Sequence, residues 1–151
     1  MTSACNDARH NDESFGRRRL SLVEQARLLD LALPAVFSTV APGGWVHSVP
    51  VHFTTQDDEV RVIAEHASVK VGHVRRTGRA TLCVVTDVDR ERRYVTIEGP
   101  VRIEDGITQD DLDALCERYR FDPSSADDEA YSGSITLVLR PERWIGWADG
   151  G

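Results

Sequence analysis

From Ala35 to Trp147 the chain is cut into short β-branched runs, and each run ends at glycine, proline or a cluster of polar residues. Ala35 to Ala41 closes on Pro42-Gly43-Gly44, a hairpin turn. Trp45 to Thr54 closes on Gln56-Asp57-Asp58, and Val60 to Ala64 follows. Arg79 to Val85, Arg92 to Glu104, Ser134 to Leu139 and Trp144 to Trp147 complete the series. Short strands joined by tight turns, with few helices, point to a mainly β chain and a small antiparallel barrel. In the second run Trp45, His47, Val49, Val51 and Phe53 share one face, and Val46, Ser48, Pro50, His52 and Thr54 the other. Pro50 lacks the ladder donor. It marks an edge, a bulge or a place where a ligand replaces a strand partner. Gly99-Pro100 reads as a bulge in the long run Arg92 to Glu104.

Three segments carry helical spacing. Ser21-Leu22-Val23-Glu24 is a capping box, and the helix it starts runs to about Leu33, with Leu22, Ala26, Leu29 and Leu33 as its apolar face. Thr108 to about Arg120 is another, with Leu112, Leu115 and Tyr119 as its stripe. Between them, Ser68 N-caps a short helix whose Ala67, Val71 and Val74 face a core and whose end is marked by Gly78. Lys70, the only lysine, falls in its first turn, where the helix dipole disfavours a cation by about 0.3–1 kcal/mol. An anion bound at that helix start would reverse the sign, and no acidic residue occurs from Ala67 to Thr86. A solvated lysine is the competing reading. Arg75, Arg76 and Arg79 sit at the other end, where cations suit the dipole without any ligand.

The 151 residues suffice for one domain with a real core. Residues 1–19 lack apolar periodicity and read as a disordered tail, leaving 20–151 as the folded domain. A net charge of −7 argues against a nucleic-acid partner. No apolar run approaches the roughly 20 residues of a membrane helix, and no signal peptide opens the chain, so a cytoplasmic protein is expected. Cys5, Cys83 and Cys116 are far apart and lack zinc-ligand spacing; they read as reduced thiols. Dinucleotide, P-loop, zincin and nucleophile-elbow motifs are all absent. His47, His52, His66 and His73 read as ordinary surface or strand histidines rather than ligands.

Four pieces in this order carry a resemblance: Ala35-Val36-Phe37-Ser38-Thr39-Val40 with its glycine turn; Ser48-Val49-Pro50-Val51-His52-Phe53; Ser68-Val69-Lys70 with Arg75-Arg76-Thr77-Gly78-Arg79-Ala80; and Arg93-Tyr94-Val95-Thr96-Ile97-Glu98-Gly99 with Leu139-Arg140-Pro141-Glu142-Arg143-Trp144-Ile145-Gly146-Trp147. Together they resemble the pyridoxamine 5′-phosphate oxidase-like family, including its deazaflavin-dependent reductases. The resemblance implies a six- to seven-stranded antiparallel split β-barrel that binds FMN or coenzyme F420. It implies a homodimer with the cofactor at the interface and a small-molecule substrate. By the same resemblance Ser48, Val49, Pro50 and Val51 lie along the cofactor ring. Ile63 and Ala64 flank its side chain, and Ser68 and Lys70 hold its phosphate, with Arg75 nearby. Tyr94 contacts the cofactor, often from the partner chain, and Trp147 helps close the site. Ser48 and Val69 stand where pyridoxamine phosphate oxidases carry arginine, and their C-terminal Arg-Leu segment has no match, which argues against vitamin B6 oxidation. Gly72-His73 stands where the deazaflavin branch often has Arg-Asn. The expected function is a flavin- or F420-dependent oxidoreductase, with no acid or base assigned. The alternative is a non-catalytic FMN- or haem-binding module on the same barrel.

Overall fold

The computed structural model describes residues 16–88, 90–122, 124 and 131–149. Its elements in chain order are β1 (Arg17–Arg19), α1 (Leu22–Asp30), β2 (Ala35–Val40), β3 (Val46–Val51), β4 (Thr54–Gln56), β5 (Glu59–Glu65), α2 (Val69–Thr77), β6 (Arg79–Val88), β7 (Glu91–Glu104), α3 (Gln109–Tyr119), β8 (Ser134–Leu139) and β9 (Arg143–Asp149). Nine strands, against the six or seven expected, reflect two three-residue pieces, β1 and β4. The main path runs β3-β2-β6-β7-β8-β5-β4, with β9 beside β7 and β1 beside β9. Every pairing is antiparallel. This is the mainly β, split-barrel architecture the strand pattern implied. Of the stretch expected as a tail, residues 1–15 lie outside the described residues, while Arg17–Arg19 pairs with Trp147–Asp149, and Arg17 binds Asp149 at 2.9 Å.

The split occurs along β7. Its residues Glu91 to Pro100 pair with β6, and Arg92 to Glu98 pair on the other edge with β9. From Val101 to Glu104 that strand pairs with β8 instead. No bulge forms at the change-over, because Ala80↔Gly99 and Arg79↔Pro100 stay in one-to-one register. The glycine has a different task. A Cβ on Gly99 would lie 2.0 Å from the Arg140 carbonyl oxygen, so only hydrogen lets the β8–β9 turn approach. That turn donates from the Arg140 N–H to the Pro100 carbonyl (3.0 Å) and from the Glu142 N–H to the Glu98 carbonyl (2.9 Å). The runs expected to end at Val85 and to begin at Arg92 each extend further, since Asp87 pairs with Arg92 and Val88 with Glu91.

The core lies on one face of the sheet, where Phe37, Phe53, Leu82, Val84, Val95, Ile97, Leu137 and Leu139 are buried. The capping box of α1 forms as read, with Ser21 accepting from the Glu24 N–H. Its apolar face forms only in part, through Leu29 and Leu33. Leu22 is 70% exposed, Ala26 is exposed, and Gln25, Leu28 and Leu29 point inward. Gln25 is pinned because its Nε2 donates to the Leu20 carbonyl (2.9 Å) and its stem fills the space left by Gly146, where a Cβ would meet Gln25 Cγ at 2.4 Å.

α3 is fastened to the barrel by charge. Arg61 on β5 donates to both oxygens of Asp111 (2.7 and 3.2 Å) and to Glu104 (2.7 Å). The Asp111 side chain is only 6% exposed. Burial pushes its carboxyl up, but the hydrogen bonds from Arg61 and Thr108 outweigh that and hold it below the usual carboxylate range. At the far end of α3, Arg118 donates to the Leu29 and Leu31 carbonyls and Tyr119 Oη to the Leu33 carbonyl (2.9 Å). Among the described residues no helix is long and apolar enough to cross a membrane.

Candidate functional site

β3 is the end of the main sheet path, paired with β2 alone. Two features set it there: the glycine hairpin before it, and Pro50 within it, which has no N–H to offer a second strand. Every side chain of β3 is at least partly exposed. Beyond its end opens a cavity of about 300 Å³, lined by Pro50, Val51, His52, Ile63, Lys70, Leu115, Phe121 and Tyr131. The structure thus brings Pro50 and Val51 of the strand, Ile63 of β5 and Lys70 of α2 around one space.

Lys70 reaches this space from the first turn of α2. That turn holds no acidic residue, and among the described residues Lys70 forms no ion pair or hydrogen bond. Ser68 has the extended backbone of an N-cap (φ −68°, ψ 152°), yet its side chain makes no capping bond. Its hydroxyl is buried and without a hydrogen-bond partner. The Ser68 carbonyl takes the Val71 N–H (3.1 Å), which leaves the N–H groups of Val69 and Lys70 with no intrahelical acceptor. An orphaned hydroxyl, a lone ammonium and free N–H groups at one helix start form a donor-rich cluster, chemically suited to an oxyanion. Ala67, expected to face the core, is exposed; Val71 and Val74 are buried. Arg75 is exposed and folds back along α2, its guanidinium donating to the His66 carbonyl (3.3 Å) just before the helix.

The other residues singled out lie elsewhere. Ala64 points into the core at 4% exposure. Val49 sits opposite Phe37 on the core side of the edge strand. Ser48 faces the other way and shares a hydrogen bond with Ser38 (2.8 Å). Tyr94 is paired with Trp147 on that same outer face, three strands or about 14 Å from β3, so one chain alone does not bring them to the cavity. Arg19 rests over the Trp147 ring at 5.5 Å. Among the described residues this outer face exposes Val36 (40%), Val40 (45%), Val46 (65%) and Val85 (50%).

Reasoning from the sequence missed His52, Leu115, Phe121 and Tyr131 as cavity residues. Leu115 was legible only as a helix-stripe residue. Tyr131 lies between the third helical segment and the run from Ser134, and its one signal was an aromatic residue just ahead of a strand.

The model of the family described as pyridoxamine 5′-phosphate oxidase matches residues 23–148, nearly the whole described chain. The chain belongs to that family. Solved structures share its fold at low identity. An FAD-binding protein from Mesorhizobium loti is 15% identical, with a TM-score of 0.72, covering 89% of this chain and 98% of its own. An F420 reductase is 20% identical, with a TM-score of 0.66, covering 78% and 93%. An FAD and heme binding protein from Mycobacterium smegmatis is 18% identical, with a TM-score of 0.68, covering 90% and 74%. No curated protein matches.

Proposed function

We propose that this member of the pyridoxamine 5′-phosphate oxidase family is an oxidoreductase that uses coenzyme F420 or FMN on a small organic substrate. The observation that carries the reading is the donor-rich start of α2, where among the described residues Ser68 Oγ is buried without a partner and Lys70 is without a counter-charge. Both features cost stability in the empty protein and are relieved by a phosphate group. Lys70 and Ser68 would hold that phosphate, with Arg75 near the loop leading into the helix. Pro50 and Val51 would offer the edge of β3 to the ring, and Ile63 would flank the chain between ring and phosphate. When bound, the cofactor supplies the hydride chemistry. The protein's share is anchoring, orientation and exclusion of water.

The reading includes a homodimer. The uncovered valines of the outer sheet face, with Tyr94 and Trp147, form an apolar surface of the kind a second copy buries. Through that face a partner's Tyr94 and Trp147 positions could complete a site that one chain leaves open. A cytoplasmic location belongs to the same reading. The rival is a binding module without turnover, and the fold likeness to an FAD and heme binding protein keeps it in play.

The test is to record the visible spectrum of the purified protein and then titrate it separately with FMN and coenzyme F420. Saturable binding of either supports the reading, and electron transfer from the reduced, loaded protein to a panel of acceptors supports an enzyme. A loaded protein that reduces nothing favours the module, a Soret band on adding haem points the same way, and no binding of any of these ends the proposal.

A further inference from the structure

Away from β3, a second cavity of about 290 Å³ opens between α1 and β7, lined by Glu24, Arg27, Leu28, Leu31 and Arg93. The cofactor reading does not use it. From its charge and its floor we infer that it binds a small organic carboxylate with an aliphatic body. The inference stands whether or not the protein takes a flavin or deazaflavin.

Most of the charge around this cavity is already paired. Four side chains form a row of alternating sign along its edge. Arg93 donates from Nε to one oxygen of Glu91 (2.6 Å). Arg18 donates from Nε to the other oxygen of Glu91 (3.3 Å) and from Nη1 to Glu24 (2.9 Å). The second oxygen of Glu24 accepts from the Ser21 N–H (2.8 Å). These bonds hold both carboxyls below the usual carboxylate range, the Ser21 N–H acting most strongly on Glu24 and Arg93 on Glu91. The row therefore cancels within itself, and both of its acids are committed.

Arg27 stands outside the row. It is exposed, and among the described residues it has no ion pair and no hydrogen bond. Glu24 lies three residues back on the same helix, where a pair would ordinarily form, but both of its oxygens are taken. Asp30, three residues on, lines a different cavity with Asp57 and Trp144. A cation in the last turn of α1 suits the helix dipole. That explains its place on the helix but not its missing counter-charge. One unmatched guanidinium suits one anionic group, and its planar fork matches the two oxygens of a carboxylate.

The floor of the cavity is apolar. Leu28 is buried, and Leu31 is 41% exposed. The backbone of Leu31 is held at the end of α1, its N–H donating to the Leu28 carbonyl (3.3 Å) and its carbonyl accepting from Arg118 (2.7 Å). A leucine fixed partly in water gains when an apolar chain covers it. The lining contains no aromatic ring, so nothing in it favours a stacking ligand over a saturated one. A volume of about 290 Å³ lies at the small end of ligand pockets, so a body of roughly eight carbons fits.

The experiment is calorimetric titration of the full chain with sodium octanoate, with 1-octanol, which keeps the body and lacks the charge, and with sodium acetate, which keeps the charge and lacks the body. Wild type should bind octanoate with a Kd of about 1 mM or below, and about five-fold or more tightly than either control. Arg27→Gln should bring octanoate to within about two-fold of octanol and leave octanol unchanged, while Arg27→Lys should keep the preference. Lys70→Ala, at the other cavity, should leave octanoate binding unchanged. Equal binding of octanoate and octanol, acetate binding as tightly as octanoate, or a preference that survives Arg27→Gln overturns the inference. So does a preference that disappears in Lys70→Ala, because it places the anion beside β3 instead.

Discussion

Lys70→Ala should move stability and affinity in opposite directions, and that opposition separates a binding lysine from a structural one. In the empty protein Lys70 sits in the first turn of α2 with no acid beside it and no partner among the described residues. Removing the cation there relieves about 0.3–1 kcal/mol of dipole repulsion. Alanine is also the better helix former, by a few tenths of a kcal/mol at most. Lost packing of the half-buried lysine stem subtracts a similar small amount. The net expectation is a gain of about 0.5 kcal/mol, or roughly 1–2 °C in Tm for a chain of this size.

With cofactor present the sign reverses. A charge-assisted hydrogen bond to phosphate is worth about 1.5–3 kcal/mol, so Kd should rise by roughly ten- to a hundred-fold. Ligand stabilisation follows RT ln(1 + [L]/Kd), so at a saturating concentration the variant loses about 1.4–2.7 kcal/mol of it. The melting curves of wild type and variant should therefore exchange order when FMN or coenzyme F420 is added. Differential scanning fluorimetry at several cofactor concentrations, with Kd from fluorescence titration, reads both halves. A variant that melts lower than wild type without cofactor would refute the claim that Lys70 is uncompensated. An unchanged Kd would refute its role in binding.

Two further predictions concern the frame that holds the site. Gly99→Ala places a methyl 2.0 Å from a backbone oxygen, so the β8–β9 turn must retreat and its two hydrogen bonds to β7 must lengthen; with about 1–3 kcal/mol of overpacking and about 1 kcal/mol per bond, urea denaturation should show a loss of about 3–5 kcal/mol, and a loss below 1 kcal/mol would contradict it. Asp111→Ala leaves Arg61 with Glu104 alone and breaks the α3 capping box, so it should cost about 3 kcal/mol, at the low end for a broken buried pair. The pH dependence follows from the same carboxyl. Its folded pKa is depressed, so its contribution is present above the ordinary value near about 4 and is lost as pH falls through the lowered folded value. Wild type should show this acid-side loss in melts taken between about pH 5 and 2, and Asp111→Ala should show less of it.

The parts legible in the sequence were those set by local chemistry. Strand positions followed from β-branched runs and their turns. The α1 capping box followed from Ser21 and Glu24, and the close of α2 from Gly78, which adopts φ 66°. Lys70 stood out because one cation in the wrong turn of a helix violates a local rule, and no fold is needed to see that. What stayed hidden depends on which residues the topology brings together. Gly99 looked like a bulge because sequence shows a glycine beside a proline but not the Arg140 carbonyl that presses on it. Leu22 looked buried because periodicity places a face without saying that Gln25 would claim the core side by bonding Leu20 and filling the gap at Gly146.

The lining of the cavity beside β3 is the sharpest case. His52, Leu115 and Phe121 lie on different elements, and the contact among them exists because Arg61 ties α3 to β5 from one end while Arg118 and Tyr119 tie it to the chain around Leu29 to Leu33 from the other. Each tie joins residues 50 or more positions apart, so no window of sequence contains it. The same ties make α3 a rigid support: five hydrogen bonds from Arg61, Arg118 and Tyr119 hold its two ends. A lining held this way can reject a ligand by shape. On the cofactor reading proposed above, selectivity would belong on the α3 side of the cavity and anchoring on the Lys70 side.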